Sequence, residues 1–287
     1  MKRILVLGST GMAGHVITTY LEKNPKLEIY NLSHTRKLNN KSIIMDVMNI
    51  EELNKYLNKI KVDFIINCIG ILNKYAEMYM DKAAFLNGYL PHFLEYKYKN
   101  SDTRIIHLST DCVFSGKDGN YTENSFRDGD SFYDRTKTVG EIINNKDITF
   151  RTSIIGPDMN PDGIGLFNWY MRNKGEINGY VNAIWTGVTT IELAKAIECA
   201  IFSDLTGLYH LVSDTSINKY ELLSLFSLIF SRKDLIINEC EDIRVNKSLI
   251  NTRTDFSHRV PTYYQMINEM KKWIDENKML YPHYIIN

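Results

Sequence analysis

Residues 3–21 read RILVLGSTGMAGHVITTYL, in which a short apolar run ends at Gly8 and apolar residues then recur at helical spacing. This pattern predicts a buried β-strand that leads directly into an α-helix. Glycines in such a turn let the backbone approach a pyrophosphate, and the helix N-terminus offers amide donors to it. The alternative is a glycine-rich turn with a structural role only. We predict a dinucleotide site at this turn, lined by Gly8, Thr10, Gly11, Met12 and Gly14.

Short apolar runs alternate with amphipathic stretches through the first half of the chain. The apolar runs predict strands at Arg3–Leu7, Leu27–Leu32, Ile43–Met45, Phe64–Ile69, Ile105–Leu108 and Ile148–Phe150. The amphipathic stretches predict helices at Gly11–Leu21, Ile50–Ile60 and Ala83–Tyr98. Strands that alternate with helices imply a parallel sheet covered by helices on both faces. The predicted fold class is therefore α/β, with a Rossmann-type doubly wound parallel sheet.

The second half of the chain has a less regular pattern. Pro91 lies within a predicted helix and should cause a kink or a helix start, because proline lacks an amide donor. The polar, glycine-containing segment Ser115–Ser131 predicts a long loop, and long loops in compact domains are often functional. After Arg151 the candidates are a helix at Thr190–Phe202, a strand at Gly207–Val212 and a last helix at Tyr263–Trp273. A smaller C-terminal lobe beside a larger N-terminal sheet domain fits this pattern best.

The composition of the 287 residues excludes several classes of protein. With 44% hydrophobic and 24% charged residues, the chain is neither disordered nor fibrous. Lys and Arg number 34, as do Asp and Glu, so the formal net charge is zero, whereas nucleic-acid-binding proteins carry a basic excess. No stretch approaches the roughly 20 apolar residues that span a bilayer. We expect neither a nucleic-acid partner nor a membrane partner.

The spacing of cysteines and histidines argues against a metal site and against a disulfide framework. The four cysteines lie far apart without a Cys-x-x-Cys pair, and the seven histidines show no ligand grouping. The apolar run near the N-terminus stops at Gly8, short of a signal-peptide core. We therefore expect no metal ion, free thiols and a cytoplasmic location.

The segment after the predicted second strand bears on the choice of cofactor. Residues 31–37 read NLSHTRK and contain no carboxylate, although an Asp or Glu there would hold the ribose 2′-hydroxyl of NAD. Hydroxyl, imidazole and guanidinium groups suit a 2′-phosphate, so we predict NADP(H) in preference to NAD(H), with Arg36 as the main partner and His34 beside it. Alternatively, Arg36 and Lys37 are a solvated surface pair. Asp46, after the third strand, either accepts from the adenine amino group or caps a helix.

Tyr133 and Lys137 lie one helical turn apart, so their side chains face the same side of a helix. A phenol has a pKa of about 10, and an ammonium beside it favours the phenolate, so the pair can transfer a proton near neutral pH. Thr110 follows a buried strand, at the edge where open parallel sheets bind ligands, and could hydrogen-bond a substrate oxygen. The alternatives are a chance pairing on a surface helix and, for Thr110, a helix or turn cap.

These motifs and several others carry a resemblance to a known family. They are the glycine turn at 8–14, Asn67–Gly70, Ser109–Gly116, Tyr121–Asn124, Tyr133–Lys137 and Arg151–Ser153. Together they resemble an extended short-chain dehydrogenase/reductase, and more narrowly the dTDP-4-dehydrorhamnose reductase group of sugar-nucleotide reductases. The likeness continues into Trp185–Thr190 and Asn246–Met270, so it covers nearly the whole chain.

The resemblance implies NADPH-dependent reduction of the C4 ketone of a nucleotide-linked 4-keto-6-deoxy sugar, for the synthesis of cell-surface polysaccharide precursors. Tyr133 would donate the proton to the developing alkoxide, with Thr110 in the same catalytic set. Lys137 would hold the nicotinamide ribose and lower the tyrosine pKa. Asp111 would lie near the sugar hydroxyls, and Asn87 would support the structure or a proton relay. Further cofactor contacts would come from Asn67, Cys68 and Gly70.

The resemblance also implies a discontinuous domain layout. A dinucleotide-binding Rossmann domain would comprise residues 1–155 and about 188–212. A sugar-nucleotide-binding lobe would comprise residues 156–187 and 213–287, with the chemistry in the cleft between the two. A homodimer is compatible with this family.

Two positions depart from the family pattern near the substrate. The family usually has aromatic residues where this chain has Cys112 and Ile154, so the substrate pocket should differ. Residues 165–170, GLFNWY, look more like reductases that act on UDP-linked N-acetylated 4-keto sugars. Trp185 either stacks on the uracil or sugar, or fills the core. The predicted substrate contacts are Asp111, Cys112, Asn168 and Trp185.

Two other functions stay open at this point. A sugar-nucleotide epimerase or 4,6-dehydratase shares the fold and the Tyr–Lys pair but recycles a tightly held NAD. Dehydratases of this kind carry an Asp–Glu pair after the threonine, where this chain has Asp111 and Cys112, and the missing ribose-binding carboxylate counts against an epimerase. The second alternative is a non-catalytic NADP-binding sensor or regulatory subunit. The presence of both Tyr133 and Lys137 counts against it.

Overall fold

The computed structural model describes residues 1–284, and positions 285–287, which end the predicted C-terminal lobe, lie outside the described residues. The strands in chain order are Lys2–Leu7 (β1), Leu27–Ser33 (β2), Ser42–Ile44 (β3), Phe64–Asn67 (β4), Arg104–Thr110 (β5), Ile148–Thr152 (β6), Ile154–Ile155 (β7), Gly175–Tyr180 (β8), Ala183–Trp185 (β9), Val188–Thr189 (β10), Gly207–His210 (β11), Ile217–Asn218 (β12), Leu235–Cys240 (β13) and Val245–Asn246 (β14). The α-helices are Met12–Leu21 (α1), Ile50–Lys59 (α2), Asn73–Met78 (α3), Met80–Ala83 (α4), Leu90–Tyr98 (α5), Phe132–Val139 (α6), Leu166–Arg172 (α7), Thr190–Ile201 (α8), Lys219–Phe230 (α9) and Tyr263–Glu276 (α10). A π-helical turn spans Ala84–Tyr89, and 3₁₀ turns occur at Asp111–Val113 and Lys278–Leu280.

Seven parallel strands form the main sheet in the order β11-β6-β5-β4-β1-β2-β3, which confirms the predicted α/β fold. The apolar run of β1 serves both faces of this sheet, because side chains alternate along a strand. Ile4 and Val6 join the core shared with α1 and α8, whereas Leu5 and Leu7 join the core shared with α2 and α5. Helices cover both faces, so the strand has no solvent face and is uniformly apolar.

The predicted boundaries agree with the main sheet and differ in one helix. The six predicted strands and the candidate at Gly207–Val212 are all present, with ends shifted by one or two residues. The helix predicted at Ala83–Tyr98 is divided, because α4 passes through a π-helical turn before α5 begins. Pro91 is the second residue of α5, which begins directly after the π-helical turn, so the helix start expected near this proline is confirmed.

Short strands and three helices build the smaller lobe. Strand β13 pairs with β8, and β9 lies between β12 and β14. Helices α7, α9 and α10 bury apolar side chains in the same core as α1 and α8. None of these lobe strands exceeds six residues and several face solvent, so the sequence shows little strand periodicity there. We keep the predicted boundaries of the two domains as a proposal.

The predicted loop Ser115–Ser131 is irregular but firmly attached to its surroundings. The ring of Phe114 stacks on Tyr121 with centroids 4.2 Å apart, and Tyr121 pairs through its backbone with Leu249. The Asp128 carboxylate accepts hydrogen bonds from the Ser115 amide at 2.8 Å and hydroxyl at 2.6 Å. The loop therefore connects the end of β5 to the C-terminal lobe. Across residues 1–284, no helix has the length and apolar character required to cross a membrane.

Candidate active site

The turn between β1 and α1 is shaped for close approach of a ligand to the backbone. Gly8 has φ +80°, and its amide and that of Ser9 donate to the Leu32 carbonyl of β2 at 2.9 and 3.0 Å. A Cβ on Gly14 would lie 2.1 Å from the Gly8 carbonyl oxygen, so only glycine fits there. No side chain caps α1 at Gly11 and its first turn holds no acidic residue. The turn thus presents amides and a helix N-terminus suited to a pyrophosphate.

A buried histidine supports this turn from beneath. The Nδ1 atom of His15 lies 2.9 Å from the Gly11 carbonyl, and its Nε2 atom lies 2.8 Å from the Tyr281 hydroxyl. Tyr281 in turn accepts a hydrogen bond from the Trp273 indole at 2.9 Å. Burial lowers the pKa of His15 to about 4, so the ring is neutral near pH 7. Tyr281 of the C-terminal segment therefore contacts the glycine turn through His15. No local sequence pattern predicts this contact.

The groups expected around a 2′-phosphate lie at the end of β2. His34 and Arg36 are exposed, and the His34 Nε2 atom lies 3.8 Å from the Asp46 carboxylate. The charge of Arg36 acts on His15, which places the guanidinium near the glycine turn. The Asp46 carboxylate accepts from the Met48 amide at 2.9 Å, and α2 is capped by Asn49 instead. The helix-cap alternative for Asp46 is therefore wrong.

The end of β4 lies directly beside the glycine turn. The Cys68 amide donates to the Leu7 carbonyl of β1 at 3.1 Å, and a Cβ on Gly8 would lie 3.3 Å from the Cys68 backbone. Burial raises the pKa of the Cys68 thiol to about 12, so the thiol is protonated. Gly70 continues along the same edge and is exposed. The predicted cofactor residues of β1 and β4 are thus neighbours in space.

The end of β5 is held by a buried ion pair. The Glu141 carboxylate accepts from the Arg151 Nε and Nη2 atoms at 2.8 and 2.7 Å and from the Ser109 hydroxyl at 2.7 Å. Burial alone would raise the pKa of Glu141, but these hydrogen bonds outweigh it and lower the pKa. The adjacent Thr110 hydroxyl donates to Asp111 at 3.0 Å and accepts from the Cys112 amide at 3.1 Å. Thr110 is thereby fixed at the edge of the sheet.

Helix α6 brings Tyr133 against this edge. Its start is fixed by a capping box in which the Ser131 and Asp134 side chains bond each other's backbone amides. Tyr133 is buried, and burial together with the negative charge of Asp111 raises its pKa, against the opposing effect of the Thr110 hydroxyl. The phenol is therefore protonated at neutral pH and stands ready to donate its proton.

The amine of Lys137 is held at the edge of β5. Its Nζ atom donates to the Leu108 carbonyl at 2.7 Å and lies 3.5 Å from the His107 Nε2 atom. His107 Nδ1 is 3.2 Å from the Asn67 amide nitrogen, so a buried row of polar groups joins α6, β5 and β4. Burial lowers the pKa of Lys137 to about 8. The expectation that Lys137 lowers the pKa of Tyr133 is wrong for this structure, because the strand edge holds the amine.

Asn87 lies in the π-helical turn and supports the structure around the site. Its carboxamide accepts from the Ile71 amide at 2.9 Å and donates to the Ile71 carbonyl at 3.0 Å and to the Thr136 hydroxyl at 3.2 Å. These bonds connect the segment after β4 to α6. The structural role expected for Asn87 is confirmed.

The positive charges of Lys219 and Lys247, two lysines of the C-terminal lobe, act on Asp111. Burial raises the pKa of Asp111, and the positive charges of Lys247 and Lys219 oppose that rise. The charge of Lys247 also acts on the Cys112 thiol, whose pKa burial raises to about 12. The two lysines follow short lobe strands and belong to no recognisable motif, so only the tertiary structure reveals them.

Two predicted substrate contacts need correction. Asn168 is 0% exposed, and its amide nitrogen donates to the carbonyl oxygens of residues 160, 161 and 163 at 3.2, 3.2 and 2.7 Å. Asn168 therefore stabilises the loop at residues 160–163 and has no exposed surface that a substrate could contact. Trp185 is 3% exposed and lies against the Tyr263 ring, with centroids 5.7 Å apart, so it fills the core.

A separate cavity of about 540 Å³ opens on the C-terminal lobe and contains none of the predicted catalytic or cofactor residues. It is lined by residues 115–118, Asn182, Ile184 and residues 244–246. Among residues 1–284, no group of three or more His, Cys, Asp or Glu side chains is arranged to hold a metal ion.

Comparison with protein families gives the class of the molecule. It is an extended short-chain dehydrogenase/reductase, an NAD(P)-dependent oxidoreductase that acts on a nucleotide sugar. More narrowly, the chain belongs to the family described as RmlD substrate binding domain, whose model matches residues 1–234. The comparison with curated proteins finds no match.

Solved structures with the same fold carry several activities. A dTDP-4-dehydrorhamnose reductase from Bacillus anthracis str. Ames, in complex with NADP, is 19% identical with a TM-score of 0.80 over 95% of this chain and 99% of that one. A dTDP-glucose 4,6-dehydratase from the same organism, in complex with NAD, is 17% identical with a TM-score of 0.76 over 99% and 100%. A UDP-N-acetylglucosamine 4-epimerase from Methanobrevibacter ruminantium M1 is 15% identical with a TM-score of 0.78 over 96% and 98%. At these identities the likeness shows the fold alone.

Proposed function

We propose that the protein uses NADPH to reduce the C4 ketone of a nucleotide-linked 4-keto-6-deoxy sugar. The observation that carries this proposal is the buried phenol of Tyr133 beside the Thr110 hydroxyl, at the sheet edge that also bears the glycine turn. Because the pKa of Tyr133 is raised, the phenol keeps its proton until an alkoxide develops next to it. A proton donor is what carbonyl reduction requires.

Different residues of the chain bind the carbonyl oxygen, donate the proton and hold the cofactor. The Thr110 hydroxyl, which donates to Asp111 in the structure, would turn to donate to the carbonyl oxygen, and Tyr133 donates its phenolic proton to that oxygen as C4 becomes a carbinol carbon. Lys137, whose ammonium is held at the edge of β5, would bind the nicotinamide ribose. When bound, the reduced nicotinamide supplies the hydride that C4 accepts. Asp111 then faces the sugar hydroxyls.

The glycine turn fits the dinucleotide, and the end of β2 favours NADPH. The turn admits no side chain at Gly14, and its helix start is uncapped. In the described part of the chain, no carboxylate lies within 4.0 Å of the Arg36 guanidinium, so its donors are free for a phosphate. The end of β2 offers no acidic side chain to a ribose 2′-hydroxyl. These features support NADPH, with NADH as the weaker substrate.

The substrate end of the site supports a UDP-linked N-acetylated sugar over a dTDP-linked one. Cys112 and Ile154 are smaller than the aromatic residues usual in the reductase group, so they leave room for a bulkier C2 substituent. The same Cys112 counts against a dehydratase, which needs a carboxylic acid there for elimination. An epimerase that retains NAD is disfavoured by the exposed, carboxylate-free end of β2.

Consumption of NADPH tests the proposal. The purified protein receives UDP-4-keto-6-deoxy-HexNAc or dTDP-4-keto-6-deoxyhexose, with NADH as the cofactor control. We expect oxidation of NADPH with at least one sugar, faster with the UDP-linked one, and slower oxidation of NADH. No oxidation with either sugar, despite binding of NADP, would contradict the reductase assignment and favour the epimerase or the non-catalytic sensor.

A further inference from the structure

Two lysines from the C-terminal lobe flank the central strand of its small sheet. Lys219 directly follows β12, and Lys247 directly follows β14. Both strands pair with β9, where Asn218 and Asn246 lie opposite Ile184 from either side. The pairing register therefore brings the two lysines to opposite sides of β9. This placement depends on the backbone alone.

Lys219 is half-buried, and within residues 1–284 its ammonium has no carboxylate partner. Its Nζ atom lies 4.7 Å from the centre of the Trp185 indole ring, whose position the Tyr263 ring helps to fix. A cation over an aromatic face is stabilised without using its hydrogen-bond donors. Burial lowers the pKa of Lys219 to about 8, against the opposing negative charge of Asp111. The site thus keeps a poorly solvated cation whose donors are free.

The two ammonium groups lie near carboxylates without forming an ion pair. Across residues 1–284, neither Lys219 nor Lys247 has a carboxylate oxygen within 4.0 Å, although both charges act on Asp111. The charge of Asp134 acts on Lys247 as well, but it also forms no ion pair with that lysine. Buried charges are normally paired, and an unpaired one is expensive. An anionic ligand group would supply the missing partner.

We infer that Lys219 and Lys247 bind the sugar-side β-phosphate of the nucleotide-sugar substrate. The inference rests on the proposed function, because it takes the substrate to be a nucleoside diphosphate sugar. Asp111 is adjacent to Thr110, which holds the C4 oxygen, and the β-phosphate is one sugar ring away from C4. A phosphate at that distance reaches the lysines beside Asp111. The lobe thereby anchors the anion while the sheet edge carries out the chemistry.

Binding of nucleotides that differ by one phosphate tests this inference without turnover. Calorimetry measures the affinities of UDP and UMP, and of dTDP and dTMP, for the full chain with saturating NADP⁺. The variants are Lys219→Met, Lys247→Met and the double variant, with Lys219→Arg as the charge-conserving variant. Lys233→Met, an exposed lysine of the same lobe, is the matched control.

We expect the wild type to bind the nucleoside diphosphate about 10- to 100-fold more tightly than the monophosphate, since each charged hydrogen bond to phosphate is strong. Each methionine variant should reduce this ratio and the double variant should bring it close to one. Lys219→Arg should retain most of it, and Lys233→Met all of it. Affinity for NADPH should stay within about twofold throughout.

Several outcomes overturn the inference, and they differ from failure of the proposed function. An unchanged diphosphate-to-monophosphate ratio in the double variant removes the lysines from the phosphate site, even when the wild type reduces the nucleotide sugar. A loss of NADPH affinity instead assigns the lysines to the cofactor. A wild type that binds none of the four nucleotides overturns both the inference and the nucleotide-sugar assignment. Thermal unfolding of each variant shows whether a change in affinity reflects misfolding.

Discussion

The carboxyl edge of the main sheet and the C-terminal lobe approach the same substrate with different kinds of structure. At the sheet edge, Thr110 and Lys137 are held by short hydrogen bonds to neighbouring backbone and side chains. In the lobe, Lys219 and Lys247 directly follow strands of only two residues, and within residues 1–284 neither forms an ion pair. The edge is organised before substrate arrives, whereas the lobe has charges that only a ligand can pair. We infer that the edge determines the reaction and the lobe determines the substrate.

The strongest challenge to this division is the change Tyr133→Phe. Loss of the general acid should lower kcat by about 10²- to 10⁴-fold. Affinity for NADPH and for nucleoside diphosphate should change little, because the ring and its burial are kept. Steady-state kinetics and calorimetry on the same preparation check both parts. Retained turnover would remove Tyr133 from the chemistry.

The change Arg36→Asp examines the cofactor side of the sheet edge. Loss of the guanidinium and gain of a carboxylate should lower the preference for NADPH over NADH by about 10- to 100-fold. Arg36 is exposed, so thermal stability should be unaffected. Titration of both cofactors measures the ratio. Equal ratios before and after the change would make Arg36 a solvated surface residue.

The pH dependence of kcat/KM tests whether activity requires the charged form of Lys137. Its pKa is lowered to about 8, so the ammonium is present below that pH and is lost as the pH rises through it. Activity should be level near pH 6 to 7 and fall by up to about tenfold per pH unit above pH 8. Lys219 has a similar pKa, so Lys219→Arg, which keeps its charge at all pH values, separates the two lysines. A profile that becomes flat in Lys219→Arg would assign the titration to the lobe.

The smallest effect is expected from Asn168→Ala. This change tests whether Asn168 of the lobe stabilises the fold instead of binding the substrate. Removing its three hydrogen bonds should cost about 1 to 3 kcal/mol of unfolding free energy and lower Tm by several degrees. KM for the nucleotide sugar should change less than twofold. Asn178→Ala, at an exposed position, is the control. A raised KM with an unchanged Tm would restore the substrate contact.

The two regions also differ in how far the sequence predicted them. The glycine turn and the Tyr133–Lys137 pair each occupy a short stretch of the sequence. The spacing of their residues alone therefore predicts that they lie together in the fold. Lys219 and Lys247 are 28 positions apart in the sequence. They lie on the two sides of β9 because β12 and β14 both pair with that strand. The prediction that Asn168 contacts the substrate is wrong for the same reason, because its partners are backbone carbonyls of a folded loop. Local patterns thus predict the sheet edge, whereas the lobe depends on long-range pairing.

The orientation of Lys137 shows a limit of even a local pattern. Helical spacing predicts that Lys137 and Tyr133 share a face, which the structure confirms. It does not predict what the amine binds, and the Leu108 carbonyl and His107 of β5 decide that. The pKa of the tyrosine consequently follows burial and not the lysine charge.

The central claim is that the protein transfers a hydride from NADPH to C4 of a nucleotide-linked keto sugar. The most direct test uses NADPH deuterated at both C4 positions of the nicotinamide, with UDP-4-keto-6-deoxy-HexNAc and its dTDP-hexose counterpart as substrates. Mass spectrometry and NMR of the product then locate the label. We predict one deuterium at sugar C4 for each NADPH oxidised, and none with Tyr133→Phe over the same time. An altered sugar that carries no deuterium, with NADPH unchanged, would rule out a reductase and identify an epimerase that recycles its own cofactor.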